Sequence, residues 1–234
     1  MSRIETALRK AETLEIAHLR TNGTNGAARK NGFGAFGSNV PHALMDNLRR
    51  EIRGTRRPVL GVCSLRRGEG TSTLAAYLAI QFALDKQVLA VDCSLATPQL
   101  HDLLGTGEGP GVSEILLGEK RVQDCILPVA GRDTLSLLPA GRCGGDALPF
   151  LGTPYSARVF EEVKQEFDVV LVDAPSDETF SGTLGLCLQT EGVVWVIGSG
   201  NEGERKLRET LNLYQEAGVR LLGGVINRAT LSTF

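Results

Sequence analysis

The sequence predicts a three-layer α/β/α sandwich built on a mostly parallel sheet. Three observations carry that prediction. Short apolar runs recur along residues 58–227, and their near-continuous hydrophobicity suits strands covered on both faces. Longer helical patterns separate most of these runs, which makes βαβ units with right-handed crossovers. The chain has 234 residues, 42% hydrophobic and 22% charged, enough to bury one sizeable core.

The elements follow in order. Residues 2–20 place Ile4, Ala7, Leu8, Ala11 and Leu14 at helical spacing, so an amphipathic helix is expected over residues 1–20. Residues 21–40, TNGTNGAARKNGFGAFGSNV, are rich in Gly and Asn and read as a flexible linker. The compact domain is expected over 41–234, opening with a short helix at 42–53. Its strands are PVLGVCS (58–64), QVLAVDC (87–93), TLSLLPA (134–140), DVVLVDA (168–174), GVVWVIG (192–198) and RLLGGVIN (220–227). Helices are expected over 71–85, 155–166, 178–190 and 203–217.

Bulk properties narrow the function classes. A net charge of −2 argues against nucleic acid as a partner. No apolar run approaches the roughly 18–20 residues that span a bilayer, and MSRIETALRKAETLEIAHLR lacks the apolar core of a signal peptide. A cytoplasmic protein without direct membrane insertion is expected. Cys63, Cys93, Cys125, Cys143 and Cys187 are odd in number and contain no CxxC, which speaks against a disulfide framework or a zinc site. They read as small core residues, with Cys63 and Cys93 expected near each other at one edge of the sheet.

In such sheets ligands collect beyond the carboxyl ends of the strands. The first strand runs into LRRGEG, and a helix begins at once with TSTLAAYLAIQFA. Gly68 and Gly70 allow a tight turn with inward N–H groups, and the helix N-terminus adds partial positive charge suited to phosphate. The segment has the shape of a phosphate-binding loop, G-x-x-x-x-G-K-[ST], but Thr71 stands where the lysine belongs. Ser72 holds the position of the hydroxyl that ligates Mg²⁺. Asp92 and Asp173 each end an apolar strand, and Asp173-Ala-Pro has the form of a segment whose carboxylate holds Mg²⁺.

Together these motifs resemble the cytoplasmic P-loop domain of bacterial tyrosine kinases that regulate capsule and exopolysaccharide assembly, with cell-division-site and partition ATPases as wider relatives. The family loop, S-x-x-P-G-E-G-K-[ST]-T, is similar to SLRRGEGTST at 64–73. Its second motif, V-D-x-D-x-R-x-P-x-x-H-x-x-x-G, is similar to VDCSLATPQLHDLLG at 91–105. GVSEILLGE (111–119), TLSLLPAG (134–141) and the stretch from PFLGTPYS to DVVLVDAPS continue the likeness, and MSRIETALRKA resembles the start of stand-alone members. The resemblance implies a P-loop NTPase-like fold. It also implies an ATP/ADP and Mg²⁺ site formed by Arg67, Gly68, Glu69, Gly70, Thr71, Ser72 and Thr73, with Ser72, Asp92 and Asp173 at the metal. Asp92 and Asp173 would be the catalytic carboxylates if the chain is active.

The departures fall on the chemistry. Beside Thr71, the family's second aspartate is Ser94 and its arginine is Ala96. HALMDNLRREI lacks the E-x-x-R-x-x-x-x-N pattern of ring assembly, and NRATLSTF carries no tyrosine cluster. The tyrosines are Tyr77, Tyr155 and Tyr214; Tyr77 and Tyr214 fall inside expected helices, so autokinase activity is expected to be lost. Arg66 and Arg67 could instead replace the lysine charge. They extend a run between 49 and 67 with seven arginines against one acid, Glu51, which reads as a solvated surface or as a docking face for an acidic partner. Asn227, after the last strand, matches the position where the resemblance to related ATPases implies an adenine contact, and it also suits a turn.

Two functions remain open on this reading. One is a degenerate, inactive kinase homologue acting as a regulator or scaffold in exopolysaccharide or capsule biosynthesis. Its partner would be a membrane chain-length or export protein, or an active paralogue, holding it at the inner face of the membrane. The other is a working Mg-ATP-dependent ATPase or tyrosine kinase with a substitute for the lysine.

Overall fold

The computed structural model describes residues 42–142, 144–178, 182–198 and 204–227. The helix expected over 1–20, the linker over 21–40 and Cys143 lie outside the described residues. The six apolar runs form β1 (Val59–Ser64), β2 (Val88–Asp92), β4 (Arg132–Leu138), β5 (Val169–Asp173), β6 (Gly192–Gly198) and β7 (Leu221–Asn227). A further short strand, β3 (Leu127–Val129), precedes β4. All seven make one sheet in the order β3-β4-β2-β5-β1-β6-β7. Every neighbouring pair is parallel except β3 with β4. β3 carries Pro128, which is tolerated because the strand sits at the sheet edge, where one missing N–H costs no ladder bond.

The helices among the described residues are α1 (His42–Glu51), α2 (Thr71–Phe82), α3 (Leu100–Leu104), α4 (Val112–Leu116), α5 (Gly144–Ala147), α6 (Pro154–Val163), α7 (Thr183–Cys187) and α8 (Glu204–Glu216). Alternation along β5 explains the layers. Leu171 points to one face, where Leu48 of α1 and Leu74 and Leu78 of α2 pack. Val170 and Val172 point to the other, against Phe160 of α6, Leu186 of α7 and Tyr214 of α8. Both faces are sealed, which is why the strands read as unbroken apolar runs rather than alternating ones. The helix expected over 178–190 is shorter: residues 177–178 form a turn and α7 covers only Thr183–Cys187.

Cys63, Cys93, Cys125 and Cys187 are buried and free, as small core residues. Cys63 and Cys93 both lie at the carboxyl edge of the sheet, but two strands apart. Cys63 lies in β1 and Cys93 follows β2, and β5 runs between those two strands at the centre of the sheet.

The connection from α3 to β3 is bonded to the stretch after β4 by Val112 N–H on the Pro139 carbonyl, Ser113 N–H on the Ala140 carbonyl, and Glu114. Glu114 Oε2 accepts from Gly111 N–H (2.7 Å) and Ser113 Oγ (3.1 Å), while Oε1 accepts from Arg142 N–H (2.8 Å). Burial works to raise the pKa of this carboxyl, but the N–H donors of Gly111 and Arg142 hold it below the usual range. The backbones approach so closely that a Cβ on Gly111 would overlap the Pro139 carbonyl. Gly111→Ala is therefore expected to destabilise the chain by about 1–3 kcal/mol, as other overpacking changes do. Thermal unfolding would show this as a lower midpoint; an unchanged midpoint would mean the loop can move aside.

Candidate functional site

The carboxyl ends of β1, β2 and β5 meet the N-terminus of α2, and the residues expected to bind phosphate gather there. Gly70 is the residue before α2 and takes φ 104°, ψ 22°, in the left-handed region open to glycine. A Cβ there would also overlap the Asn227 side-chain amide. Gly68 has φ 81° as well. No side chain caps α2, so the first-turn N–H groups from Thr71 onward keep their donors for a ligand, and the helix dipole adds partial positive charge.

Thr71 does not reach out as a lysine would. Its Oγ1 donates to Ser64 Oγ at 2.8 Å, and Ser64 Oγ in turn donates to the Arg66 carbonyl at 3.0 Å. The position that would carry a positive charge holds a neutral hydroxyl turned back onto the end of β1. Arg66 is half-buried and Arg67 exposed. Neither guanidinium makes a hydrogen bond or ion pair among the described residues, so both remain able to turn toward an anion. Elsewhere in the arginine run, Arg49 grips Asp85 with two hydrogen bonds (2.9 and 2.6 Å), and Arg57 donates to the carbonyls of Lys164 and Gln165. Those two arginines fasten elements of the fold.

Asp92 and Asp173 are partners in register on adjacent strands, and both are buried. Their surroundings differ. Asp92 Oδ1 accepts from Ser94 N–H (3.0 Å), and Oδ2 accepts from Gln99 and Leu100 N–H (both 3.1 Å). It thereby organises the 94–100 loop and the start of α3. Burial pushes its pKa up to about 6, against the pull of those N–H groups. Asp173 has no hydrogen bond of normal geometry to either oxygen. Burial and then the neighbouring Asp92 charge push its pKa well up; the nearby Ser72 hydroxyl works the other way. An unsatisfied carboxylate beside a hydroxyl is a hard-oxygen pair of the kind Mg²⁺ takes. Ser72 and Asp173 fit that ion, while Asp92 is already committed to backbone donors. No cluster of three or more His, Cys, Asp or Glu forms among the described residues, so further ligands would have to come from the bound molecule and water.

Several contacts escaped the sequence reading. Glu69 Oε2 accepts from Arg66 N–H (3.0 Å) and Oε1 from Gly198 N–H at the end of β6 (3.1 Å). Asn227, at the end of β7, donates from Nδ2 to the Glu69 carbonyl at 2.7 Å. Its side chain is therefore bound to the loop, and its buried Oδ1 has no partner among the described residues. Tyr214 donates to Asp177 Oδ1 at 2.7 Å, four residues beyond Asp173, and stacks edge-on against Trp195 with centroids 5.0 Å apart. Only the G-E-G spacing hinted at Glu69. Ser64 stood out only as the first residue of SLRRGEGTST and Tyr214 only as a helical tyrosine, and nothing local marked Asp177.

No family model matches the chain. The succinoglycan biosynthesis transport protein ExoP of Rhizobium meliloti (strain 1021) is 25% identical over 185 residues, covering 77% of this chain and 23% of ExoP. The tyrosine-protein kinase ptk of Acinetobacter johnsonii is 29% identical over 163 residues, covering 68% of this chain and 22% of that protein. The putative tyrosine-protein kinase CapB of Staphylococcus aureus is 22% identical over 197 residues, covering 84% of this chain and 82% of CapB. Relatives of this chain include bacterial tyrosine-protein kinases. The fold is theirs as well: the VpsO kinase domain superposes with a TM-score of 0.72 at 23% identity, covering 80% of this chain and 92% of that domain. MinD of Pyrococcus horikoshii OT3, solved with Mg-ADP, superposes with a TM-score of 0.66 at 21% identity, covering 76% and 72% of the two chains. The chain thus spans less than a quarter of ExoP and ptk but most of CapB, and it shares the P-loop NTPase-like fold of these kinases and ATPases. No helix among the described residues is long and apolar enough to cross a membrane.

Proposed function

We propose that this chain is a catalytically silent member of the tyrosine-kinase family, acting as a regulator or scaffold in the making or export of an exopolysaccharide or capsule. The supporting observation is Thr71, a neutral side chain bonded to Ser64 where phosphoryl transfer needs a mobile cation. Ser94 and Ala96 add to it: Ser94 bonds to Asp92 through its backbone, and Ala96 offers no side chain to a phosphate or a second subunit. Two of the three tyrosines point the same way: Tyr214 is sealed in the core on one face of the sheet and Tyr77 packs against the core on the other, while Tyr155 is exposed. ATP or ADP with Mg²⁺ would sit on Gly68–Thr73, with Ser72 and Asp173 at the ion, and would bind weakly. A membrane chain-length or export protein, or an active paralogue, is the partner this reading calls for.

The second reading, an active enzyme, has its own observation in Arg66 and Arg67, whose guanidinium groups are uncommitted among the described residues. Phosphate release and phosphotyrosine formation from Mg-ATP decide between the two. The silent reading expects both at background for the native chain. Turnover above background that disappears in Arg67→Ala or Asp173→Ala would establish the enzyme instead.

A further inference from the structure

The structure assigns Glu69 and Asn227 to a clasp that sets the shape of the phosphate loop whatever residue stands at position 71. The assignment deepens the proposed nucleotide site and rests on that reading only for the identity of the ligand.

The glycines of the loop between β1 and α2 give it freedom that something must remove. Its start is held by Asp177 and Glu178 N–H on the Ser64 and Leu65 carbonyls, and three further bonds, which fix its glycine turn, converge on one residue. The Glu69 carboxylate spans the loop's first half through Arg66 N–H and the end of β6 through Gly198 N–H. The Glu69 carbonyl takes the Asn227 amide from the end of β7. The partners are distant in sequence but adjacent in the sheet, because β1 pairs with β6 and β6 with β7. Gly198 and Gly70 make the clasp possible. A Cβ at Gly198 would come within 3.1 Å of Glu69 Oε1, and one at Gly70 would strike the Asn227 amide.

The direction of the Glu69 side chain gives the clasp its function. A carboxylate in a phosphate loop would repel the ligand if it faced the cradle. Here both of its oxygens are spent on N–H groups of Arg66 and Gly198. Glu69 is thus a positioning residue: it holds the Gly68–Gly70 turn that leads into the uncapped first turn of α2. Asn227 does the same from β7, which is a different task from reading a base. The hydroxyl chain from Thr71 to Ser64 to the Arg66 carbonyl ties the α2 end of the loop back to its start.

Amide hydrogen exchange on the native full chain and on Glu69→Ala tests this without any ligand. The clasp predicts at least about tenfold faster exchange at Arg66 and Gly198 in the variant, the scale of one lost charge-assisted bond. Protection elsewhere in β6 and in β2 should be unchanged. Glu69→Gln, which keeps one acceptor oxygen, should restore protection at one of the two amides. Unchanged protection at both amides in Glu69→Ala would overturn the clasp, and so would a loss spread evenly over the whole sheet. A second arm uses Mg-ADP with Thr71→Lys, alone and combined with Glu69→Ala. The clasp predicts about tenfold weaker binding in the double variant, and equal affinities would overturn the positioning role. If Mg-ADP binds to neither, the nucleotide reading of the site fails, while the exchange data still decide the clasp.

Discussion

Thr71→Lys is expected to raise the affinity for Mg-ADP and Mg-ATP about ten- to a hundredfold, the yield of one charge-assisted hydrogen bond of about 1.5–3 kcal/mol. The rest of the loop supports that gain. Gly70 already holds the left-handed conformation, and Glu69 already ties the loop to β6. A lysine would also give up the hydroxyl bond to Ser64, a neutral bond worth about 1 kcal/mol of stability. The variant should therefore bind more tightly and melt slightly earlier. Isothermal titration with Mg²⁺ and with EDTA reads the first effect, and a thermal melt without ligand reads the second. Tight binding by the native chain, with little added by lysine, would show that Arg66 or Arg67 has taken over the charge. No binding by either protein would move the defect beyond position 71, toward Ser94 and Ala96. Catalysis is a separate matter, because the charge that matters there is the one that shifts in the transition state.

The parts of this molecule that could be read from the sequence are those whose cause is local. VLGVCS and VVLVD are buried along their whole length, and a doubly covered strand has no polar face to disguise it. Gly68, Gly70 and Asp173 stood out for the same reason, since a turn and a strand end announce themselves within a few residues. β3 did not, because three residues containing Pro128 carry no period. α3, α4 and α5 are each a single turn or little more, held by contacts rather than by pattern. The clasp is the clearest case. Glu69 and Gly198 lie 129 residues apart and Asn227 and Glu69 158 apart, so those bonds exist only once the strand order β1-β6-β7 is known. The two aspartates looked alike in sequence and separated in the structure: Asp92 met three backbone donors and Asp173 met none.

That difference leads to the largest stability effect expected here. Asp173→Asn should stabilise the chain in the absence of Mg²⁺ and nucleotide, by about 2–3 kcal/mol above neutral pH, the order of cost of an unsatisfied buried polar or charged group. In a chain of this length such a gain raises the melting midpoint by about 4–10 °C. Its pH dependence has a definite sign. A carboxyl whose folded pKa lies above its unfolded value of about 3.9 favours the folded state fully only below that value, and stability falls as pH rises. Asp92, pushed up to about 6, contributes a decline that levels off above that pH. Asp173, pushed well above its usual range, adds to that decline. Removing the Asp173 charge should therefore help more at pH 8 than at pH 5 and flatten the upper part of the profile. The same change should weaken any Mg²⁺-dependent nucleotide binding, because it removes the one carboxylate left free for the ion. Stability and binding moving in opposite directions is the mark of a group kept for a ligand at the expense of the fold. An Asp173→Asn chain that melts no later than the native one, with an unchanged pH profile, would mean that the carboxylate is already paired in solution and was not kept for a cation.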